Sequence, residues 1–502
     1  MSIPPFRLRR PFAFALLALP LAACGGGGDD PPTGPDQTPT EIVAASPTTQ
    51  TATVGTAVAQ APAVTVRNAG GQGVAGVTVT FTVTAGSGSI GSATAQTNAS
   101  GTASAGSWTL GATAGANSVT ATAGTLQPVV FNATGQAVTT NPPPSFLASQ
   151  IEVANLASCA LRQGAGLVCW GTNPQGQLGD GTTTNRPDPA AVSAPGVTFT
   201  RVAMGTAHTC ALASTGVVHC WGSNNGGRIG DGTTTDRLAP TTVAGGLTFK
   251  ALAAGRDHSC AIAADDKAYC WGINGAGQLG SGAGANLFAS SPTLVDASLT
   301  VRSVAAGGSH SCAANLAGIV AYCWGANGQG QLGDGTTTSR SAPSPVNLAG
   351  SSFTTVTAGA EFSCALNTGG SAYCWGDNQY GQLGDGSTTD RLSPVAVAGG
   401  HVFQQIDAGD SYACGVTTAG ALYCWGQNDV GQLGIGSTTS ASSPQLVAPP
   451  AGQTWKSVSA AIGGKRVCAT TSTDAAYCWG TNSGGLTSGD ATVNTPSAVR
   501  GS

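Results

Sequence analysis

The chain has 502 residues, only 8% of them charged, and a formal net charge of −4. So sparse and mildly acidic a surface, with no cluster of Lys or Arg, excludes the electrostatic footprint of a nucleic-acid binder. Seventy-five glycines and fifteen cysteines, with no stretch of helical periodicity, point to an all-β protein of short strands and turns.

The N-terminus comes first. Arg7, Arg9 and Arg10 precede an apolar run from Phe12 to Ala23. That run is shorter than the roughly 20 residues of a membrane span and has the basic flank of a secretory signal. It ends in Leu21-Ala22-Ala23-Cys24, which resembles the lipobox of bacterial lipoproteins. The resemblance implies that residues 1–23 are a signal peptide cut before Cys24. It also implies diacylglycerol on the Cys24 thiol and an acyl chain on its amine. The residue after Cys24 is Gly25 rather than Asp, so the inner-membrane retention signal of Gram-negative lipoproteins is absent. The expected location is therefore the bacterial outer membrane or cell surface, with contact to the membrane through the lipid anchor. The alternative is an ordinary secretory signal with an incidental cysteine. Cleavage leaves sixteen basic against twenty-three acidic residues, a net charge of −7.

Residues 24–41, a mixture of flexible glycines and stiff prolines, read as a tether. Residues 42–137 are rich in Ala, Thr, Val and Gly. Val64–Val66 and Val77–Val83 alternate apolar and polar side chains, the period of a half-buried strand. Further strands are predicted at Gly101–Trp108, Asn117–Ala123 and Val129–Ala133, with Phe81 and Trp108 in the core. The even spacing predicts a β-sandwich. The strings VTVRNAGGQGVAGVTVTFTV, TNASGTASAGSWTLG and AGANSVTATAG resemble the bacterial immunoglobulin-like domains of invasins and intimins. That resemblance implies a rigid spacer. Pro142-Pro143-Pro144 marks a linker over residues 138–145.

From residue 146 to 502 the chain repeats itself. Cys-Trp-Gly triplets begin at Cys169, Cys220, Cys270, Cys323, Cys374, Cys424 and Cys478, spaced 50 to 54 residues apart. A partner stands upstream of each: Cys159, Cys210, Cys260, Cys312, Cys364, Cys414 and Cys468. Zinc would need four ligands per site, usually with close C-x-x-C pairs, and the five histidines cannot complete seven such sites. Disulfides fit the pattern. In the second repeat, Cys210 and Cys220 lie symmetrically about a Ser214-Thr215-Gly216 turn, so a β-hairpin would bring them face to face. The extra residue between Cys312 and Cys323 predicts a longer turn or a bulge. Each bridge would contribute about 2–3 kcal/mol and persist only in an oxidising compartment. Cys24 alone is left without a partner.

Turn signals every 8 to 12 residues predict four short strands per repeat, the pattern of a β-propeller. The string Gly-Gln-Leu-Gly-Asp-Gly recurs at 176–181, 330–335 and 381–386, with variants at 277–282 and 431–436. Together with the pattern G-x-x-H-[ST]-C-A, these strings resemble the regulator of chromosome condensation repeat family. The resemblance covers 146–502 and implies a seven-bladed propeller. The last repeat departs from it over 483–489. A propeller must close, and pairing of Pro496–Arg500 with Phe146–Val153 is the expected closure.

The repeats hold no lone Ser/His/Asp set and no phosphate-binding loop, so no catalytic residue, metal or cofactor is expected. His208, His258 and His310 share one repeat position. Ala157, Phe362, Tyr412 and Arg466 stand there in the other repeats, so packing rather than chemistry is expected. Asp180, Asp231, Asp334 and Asp385 are each followed six residues later by Arg186, Arg237, Arg340 or Arg391. Local turns with an Asp–Arg contact are expected, with a calcium site as the alternative. Asp257 and Glu361 are isolated charges at blade loops and candidates for a binding face.

The whole predicts an exported, monomeric, lipid-anchored adhesion or binding protein that presents a disulfide-braced propeller to a protein or glycan partner. Two alternatives come from resemblance. One is guanine-nucleotide exchange, as in nuclear members of the family. Another is inhibition of a secreted enzyme, since a β-lactamase-inhibiting propeller looks like the same fold. An enzyme with its site in the central channel is a further one.

Overall fold

The computed structural model describes residues 37–136, 146–155, 157–164, 166–282, 286–317, 320–348, 352–482 and 492–499. The chain divides into two compact units, Met1–Thr139 and Thr140–Ser502.

In the first unit, strands Glu41–Ala44, Ala63–Arg67 and Thr102–Ser104 form one sheet. Thr49–Thr53, Val129–Gln136, Gly115–Thr122, Thr78–Ala85 and Thr94–Gln96 form another, in that order. Alternation does the work that the sequence predicts. Val64, Val66, Val79, Phe81, Val119, Ala121 and Phe131 all turn into one core with Trp108. Two differences arise. The predicted strand over 101–108 breaks into Thr102–Ser104 and Trp108–Thr109, because Gly106 at φ +69° turns the chain between them. The first strand begins at Glu41, and the Thr40 amide already donates to Arg67, so ordered sheet reaches back into the segment read as tether. The predicted signal peptide, residues 1–23, and the predicted linker over 138–145 lie outside the described residues.

The second unit consists of seven four-stranded antiparallel sheets, each built from one contiguous repeat. In the second repeat the strands run Phe199–Met204, His208–Ala213, Val218–Gly222 and Arg237–Thr242, from the axis outward. The innermost strands neighbour one another around a ring, and Ala148–Val153 of blade 1 meets Trp455–Ala460 of blade 7. In every blade the outer pairing skips the Trp of Cys-Trp-Gly, leaving an irregularity opposite it. The recurring outer-strand proline, such as Pro240, sits there, where no ladder donor is needed.

The ring closes differently from the expectation. Thr492–Ala498 is the outer strand of blade 7 and pairs with Ala476–Thr481, not with residues 146–153. Each repeat supplies its own four strands in order, so no strand is left over to exchange. The seam is held instead by a Leu147–Ala475 bridge and by the Ala148 amide donating to the Asp474 carbonyl at 2.9 Å. Phe146 and Val499 share one apolar cluster across it.

Candidate functional site

Each pair of repeat cysteines lies in register across the second and third strands of one blade. The bridges are Cys159–Cys169, Cys210–Cys220, Cys260–Cys270, Cys312–Cys323, Cys364–Cys374, Cys414–Cys424 and Cys468–Cys478. The Cα atoms are 4.1 Å apart in all seven. That spacing belongs to the close, non-hydrogen-bonded kind of cross-strand pair. All fourteen side chains are buried. Register stays unbroken from Cys312/Cys323 out to Ala314/Ala321, so the extra residue of that pair falls in the turn. Cys24 lies outside the described residues.

Blades are fastened to one another by the tryptophans. Trp221, Trp271, Trp324, Trp375, Trp425 and Trp479 are buried, and each indole N–H donates to a backbone carbonyl of the preceding blade. The acceptors are Gln177, Arg228, Gln278, Gln331, Gln382 and Gln432, at 2.8–3.0 Å. The glycine two residues after each acceptor lies against the same indole. A Cβ on Gly179 would stand 2.5 Å from Trp221 Nε1. The Gly-Gln-Leu-Gly string is thus a socket for the next blade's tryptophan.

The histidines belong to the same interfaces. His208, His258 and His310 are fully buried, with Nε2 at 2.8 Å from Ser259, Ser311 and Ser363 of the following blade. Each of those hydroxyls donates onward to a backbone carbonyl. Nε2 must therefore carry the proton, and Nδ1 is left as an acceptor with no partner. Burial pushes His258 down to about 3 and His310 to about 4, and it lowers His208 as well. At Phe362 and Tyr412 the partner position changes too, to Ala413 and Val467, whereas after Arg466 it stays a serine, Ser158. The Tyr412 hydroxyl donates to the Arg466 carbonyl at 2.6 Å and accepts from the Ala461 amide.

The aspartates act within blades. Asp231 Oδ1 accepts from the Thr233 amide and hydroxyl, and Oδ2 accepts from Arg237 Nε at 2.6 Å. Asp180, Asp334 and Asp385 repeat the arrangement with Arg186, Arg340 and Arg391. Burial by itself would raise these carboxyls, but the hydroxyl and guanidinium donors outweigh it and hold them below the usual range. Sequence reading missed the hub of this turn, although the residue recurs after every Cys-Trp-Gly. Asn224 is fully buried; its Nδ2 donates to Asp231 and the Thr233 and Thr235 carbonyls, and its Oδ1 accepts from Ile229.

The central channel holds a cavity of about 250 Å³, lined by the innermost strand of every blade. Its polar residues come from blades 1, 2, 5 and 6, and no repeat pattern announced them. Glu152 of blade 1 accepts from Ser459 at 3.0 Å, and Asp407 of blade 6 accepts from the Ala460 amide at 2.8 Å. Two carboxylates thus flank the innermost strand of blade 7. Desolvation and then the neighbouring Asp407 push Glu152 up to about 8, and desolvation takes Asp407 to about 6. At one mouth Arg256 of blade 3 reaches across the ring to Asp410 of blade 6 at 2.8 Å. Asp257 pairs with Arg228 at 2.8 Å, whereas Glu361 is exposed. Among the described residues no group of three or more His, Cys, Asp or Glu is placed to hold a metal.

This is the geometry of a repeat propeller whose blades are bound by tryptophan sockets. The chain belongs to the regulator of chromosome condensation (RCC1) repeat family, whose model matches residues 167–212, 215–262, 265–314, 320–366, 369–416 and 419–469. The ultraviolet-B receptor UVR8 of Arabidopsis thaliana is 31% identical over 243 residues, 48% of this chain and 44% of that protein. The probable E3 ubiquitin-protein ligase HERC4 of Homo sapiens is 32% identical over 260 residues, 50% of this chain and 20% of that one. The chain thus spans less than half the length of these relatives. Among solved structures, human WBSCR16 superposes with a TM-score of 0.59 at 22% identity, covering 66% of this chain and 92% of its own. Yeast RCC1 (Prp20), in its complex with Kap60, gives 0.58 at 21%, covering 71% and 85%. At these identities the structural likeness establishes the fold.

Proposed function

We propose that this protein is an exported binding protein, anchored by lipid at Cys24, in which an immunoglobulin-like spacer presents the propeller to a protein partner. The single observation that carries the reading is the set of seven buried, within-blade disulfides. Such bridges belong to an oxidising compartment. The signal-like residues 1–23, and Cys24 at their end as the one cysteine outside the seven repeat pairs, support the same compartment. A rigid ring whose repeats differ mainly at their loop tips suits recognition rather than catalysis. Yeast Prp20, of the same fold, has been studied bound to Kap60 and for its binding to Gsp1p and histones. Protein recognition through the propeller is the part of that behaviour carried over here. Guanine-nucleotide exchange is not, because the nucleotide and its GTPase are cytosolic and the bridges are not.

The test combines two measurements on cells producing the chain. Labelled palmitate should be incorporated by the wild type and not by Cys24→Ser. Alkylation without reductant should leave the fourteen repeat cysteines unmodified. Free alkylation of those thiols would sink the exported reading. Labelling that persists in Cys24→Ser would sink the anchor.

A further inference from the structure

Blade 3 departs from a rule that four of the blades keep. Blades 1, 2, 4 and 5 lock the loop before the outer strand with an Asp–Arg pair. Blade 3 has Ser281 in place of the aspartate and Leu287-Phe288 where the others approach their arginine. Blade 6 has also lost the pair, but its substitutes Ile435 and Ala441 pack against an apolar cluster. In blade 3 the residue at the arginine position, Ala289, packs likewise against an apolar cluster, but Leu287 and Phe288 just before it stay in solvent. Leu287 is 71% exposed and Phe288 45%, and Leu287 is the most exposed large apolar side chain among the described residues.

The change is more than a lost contact. The third strand of blade 3 runs one residue further, to Ile273, which pairs with Phe288, and the Asn274 amide donates to the Leu287 carbonyl at 2.7 Å. The position of Ile273 is polar or alanine in the other repeats: Thr172, Ser223, Ala326, Asp377, Gln427 and Thr481. Three apolar residues therefore coincide in a blade that lacks the clamp, two of them exposed. On the neighbouring edge of blade 2, Gly226 lies against Ile273, where a Cβ would meet Ile273 Cδ1 at 2.1 Å. Between the two blades runs a groove of about 450 Å³, with Ile273, Leu287 and Phe288 as its apolar wall and Thr234 and Asp236 among its polar lining. Asp236 is exposed, accepts one hydrogen bond from the Asn224 amide, and makes no ion pair among the described residues. No Lys or Arg lines the groove.

A local rule broken beside apolar side chains that stay in solvent marks a site kept for function. We infer that the groove between blades 2 and 3 is where a partner protein docks, through a segment that sets an aliphatic or aromatic side chain on Ile273, Leu287 and Phe288 and an adjacent Lys or Arg on Asp236. The inference rests on the protein-binding reading above and locates it. The uncompensated carboxylate selects a basic neighbour; the missing side chain at Gly226 leaves the groove its depth. An exposed aromatic beside a lone charge is also the composition of an interface anchor.

The test pans a random-peptide phage library on the immobilised full chain and on the variants Leu287→Ser, Phe288→Ser and Asp236→Asn. Enriched peptides should pair an apolar residue with Lys or Arg. Their affinity should fall at least tenfold in either serine variant, and several-fold in Asp236→Asn with a weaker dependence on salt. Melting temperatures of the serine variants should match the wild type, since both side chains are in solvent. Peptides that bind all variants equally overturn the groove while leaving the propeller a binder. Acidic consensus peptides, or none enriched, overturn it as well. A wild-type dimer in sedimentation velocity that Leu287→Ser abolishes would assign the groove to a second copy. Flotation with phosphatidylglycerol vesicles that Phe288→Ser abolishes would assign it to lipid. Either result replaces the inference. If no partner can be crosslinked to the intact propeller on the cell surface, the broader reading falls too.

Discussion

The indole of Trp271 donates to the Arg228 carbonyl at 3.0 Å, and Gly230, two residues after that arginine, lies flat against the same ring. The pair joins blade 3 to blade 2, and its counterparts recur around the ring. Blade order is therefore enforced by a donor that must find its carbonyl and a glycine that must stay bare.

Gly230→Ala tests the socket. The new Cβ would stand 2.6 Å from Trp271 Nε1, at φ +78°, where side chains are strained. Overpacking together with backbone strain should cost about 2–4 kcal/mol. Trp271→Phe, which keeps much of the ring and loses the N–H, leaves the Arg228 carbonyl only the longer bond from Ser259 at 3.3 Å and should also destabilise. Denaturant unfolding followed by far-ultraviolet dichroism measures both. A melting temperature unchanged in Gly230→Ala would contradict the socket.

Asp231→Asn addresses the turn. It removes the charge that Arg237 faces and leaves the amide to serve the Thr233 donors in part. A loss of about 1–2 kcal/mol is expected. Since the aspartate is satisfied by Thr233 and Arg237, excess calcium or EDTA should not move the wild-type melting temperature. A calcium-dependent rise would revive a metal role for these loops.

The histidine interfaces predict a double-mutant result. His258→Phe alone leaves the Ser311 hydroxyl without its donor in a buried seam and should destabilise by about 1–3 kcal/mol. Adding Ser311→Ala reproduces the Phe362/Ala413 seam and should recover much of the loss. The wild-type histidine is buried neutral, with its folded value near 3 and its ordinary value at 6.5. The unfolded chain takes up that proton first, so stability is lost as pH falls below about 6.5. The double variant should show a shallower acid limb. Equal acid sensitivity in the two proteins would rule this out.

Glu152 pulls the other way. Its folded value near 8 lies above the ordinary 4.5, so the folded state holds its proton more tightly than the unfolded chain. Stability from this group is complete at low pH and is lost as pH rises from about 4.5 towards 8. Glu152→Gln should remove that slope and be more stable than the wild type at pH 8. A gain of about 1–2 kcal/mol is expected, short of the ~1.4 kcal/mol per pH unit of the whole shift, because solvent reaches the part-buried carboxyl. Unfolding curves collected from pH 5 to 8.5 give the comparison; parallel pH profiles would show that Glu152 is ionised at no cost.

Much of this architecture can be read along the chain, because a repeat states each constraint seven times. The spacing of Cys210 and Cys220 about a turn is a local matter, settled within one hairpin. So are the Asp231–Arg237 contact, six residues long, and the alternation of Val64, Val66 and Phe81. Closure was misread for a related reason: the tail 496–500 carries no signal to distinguish exchange with residues 146–153 from the outer strand it forms in its own blade.

What the sequence determines by itself, then, is the period, the strands and the partners that lie within one repeat, since short-range pairing needs no knowledge of the ring. Only the tertiary structure decides which blade each tryptophan and histidine serves, and it alone puts Glu152 and Asp407 on either side of one strand and Arg256 beside Asp410. Those contacts span 43 to 307 residues of chain. Their geometry comes from the curvature of seven packed sheets, which no local run of residues encodes.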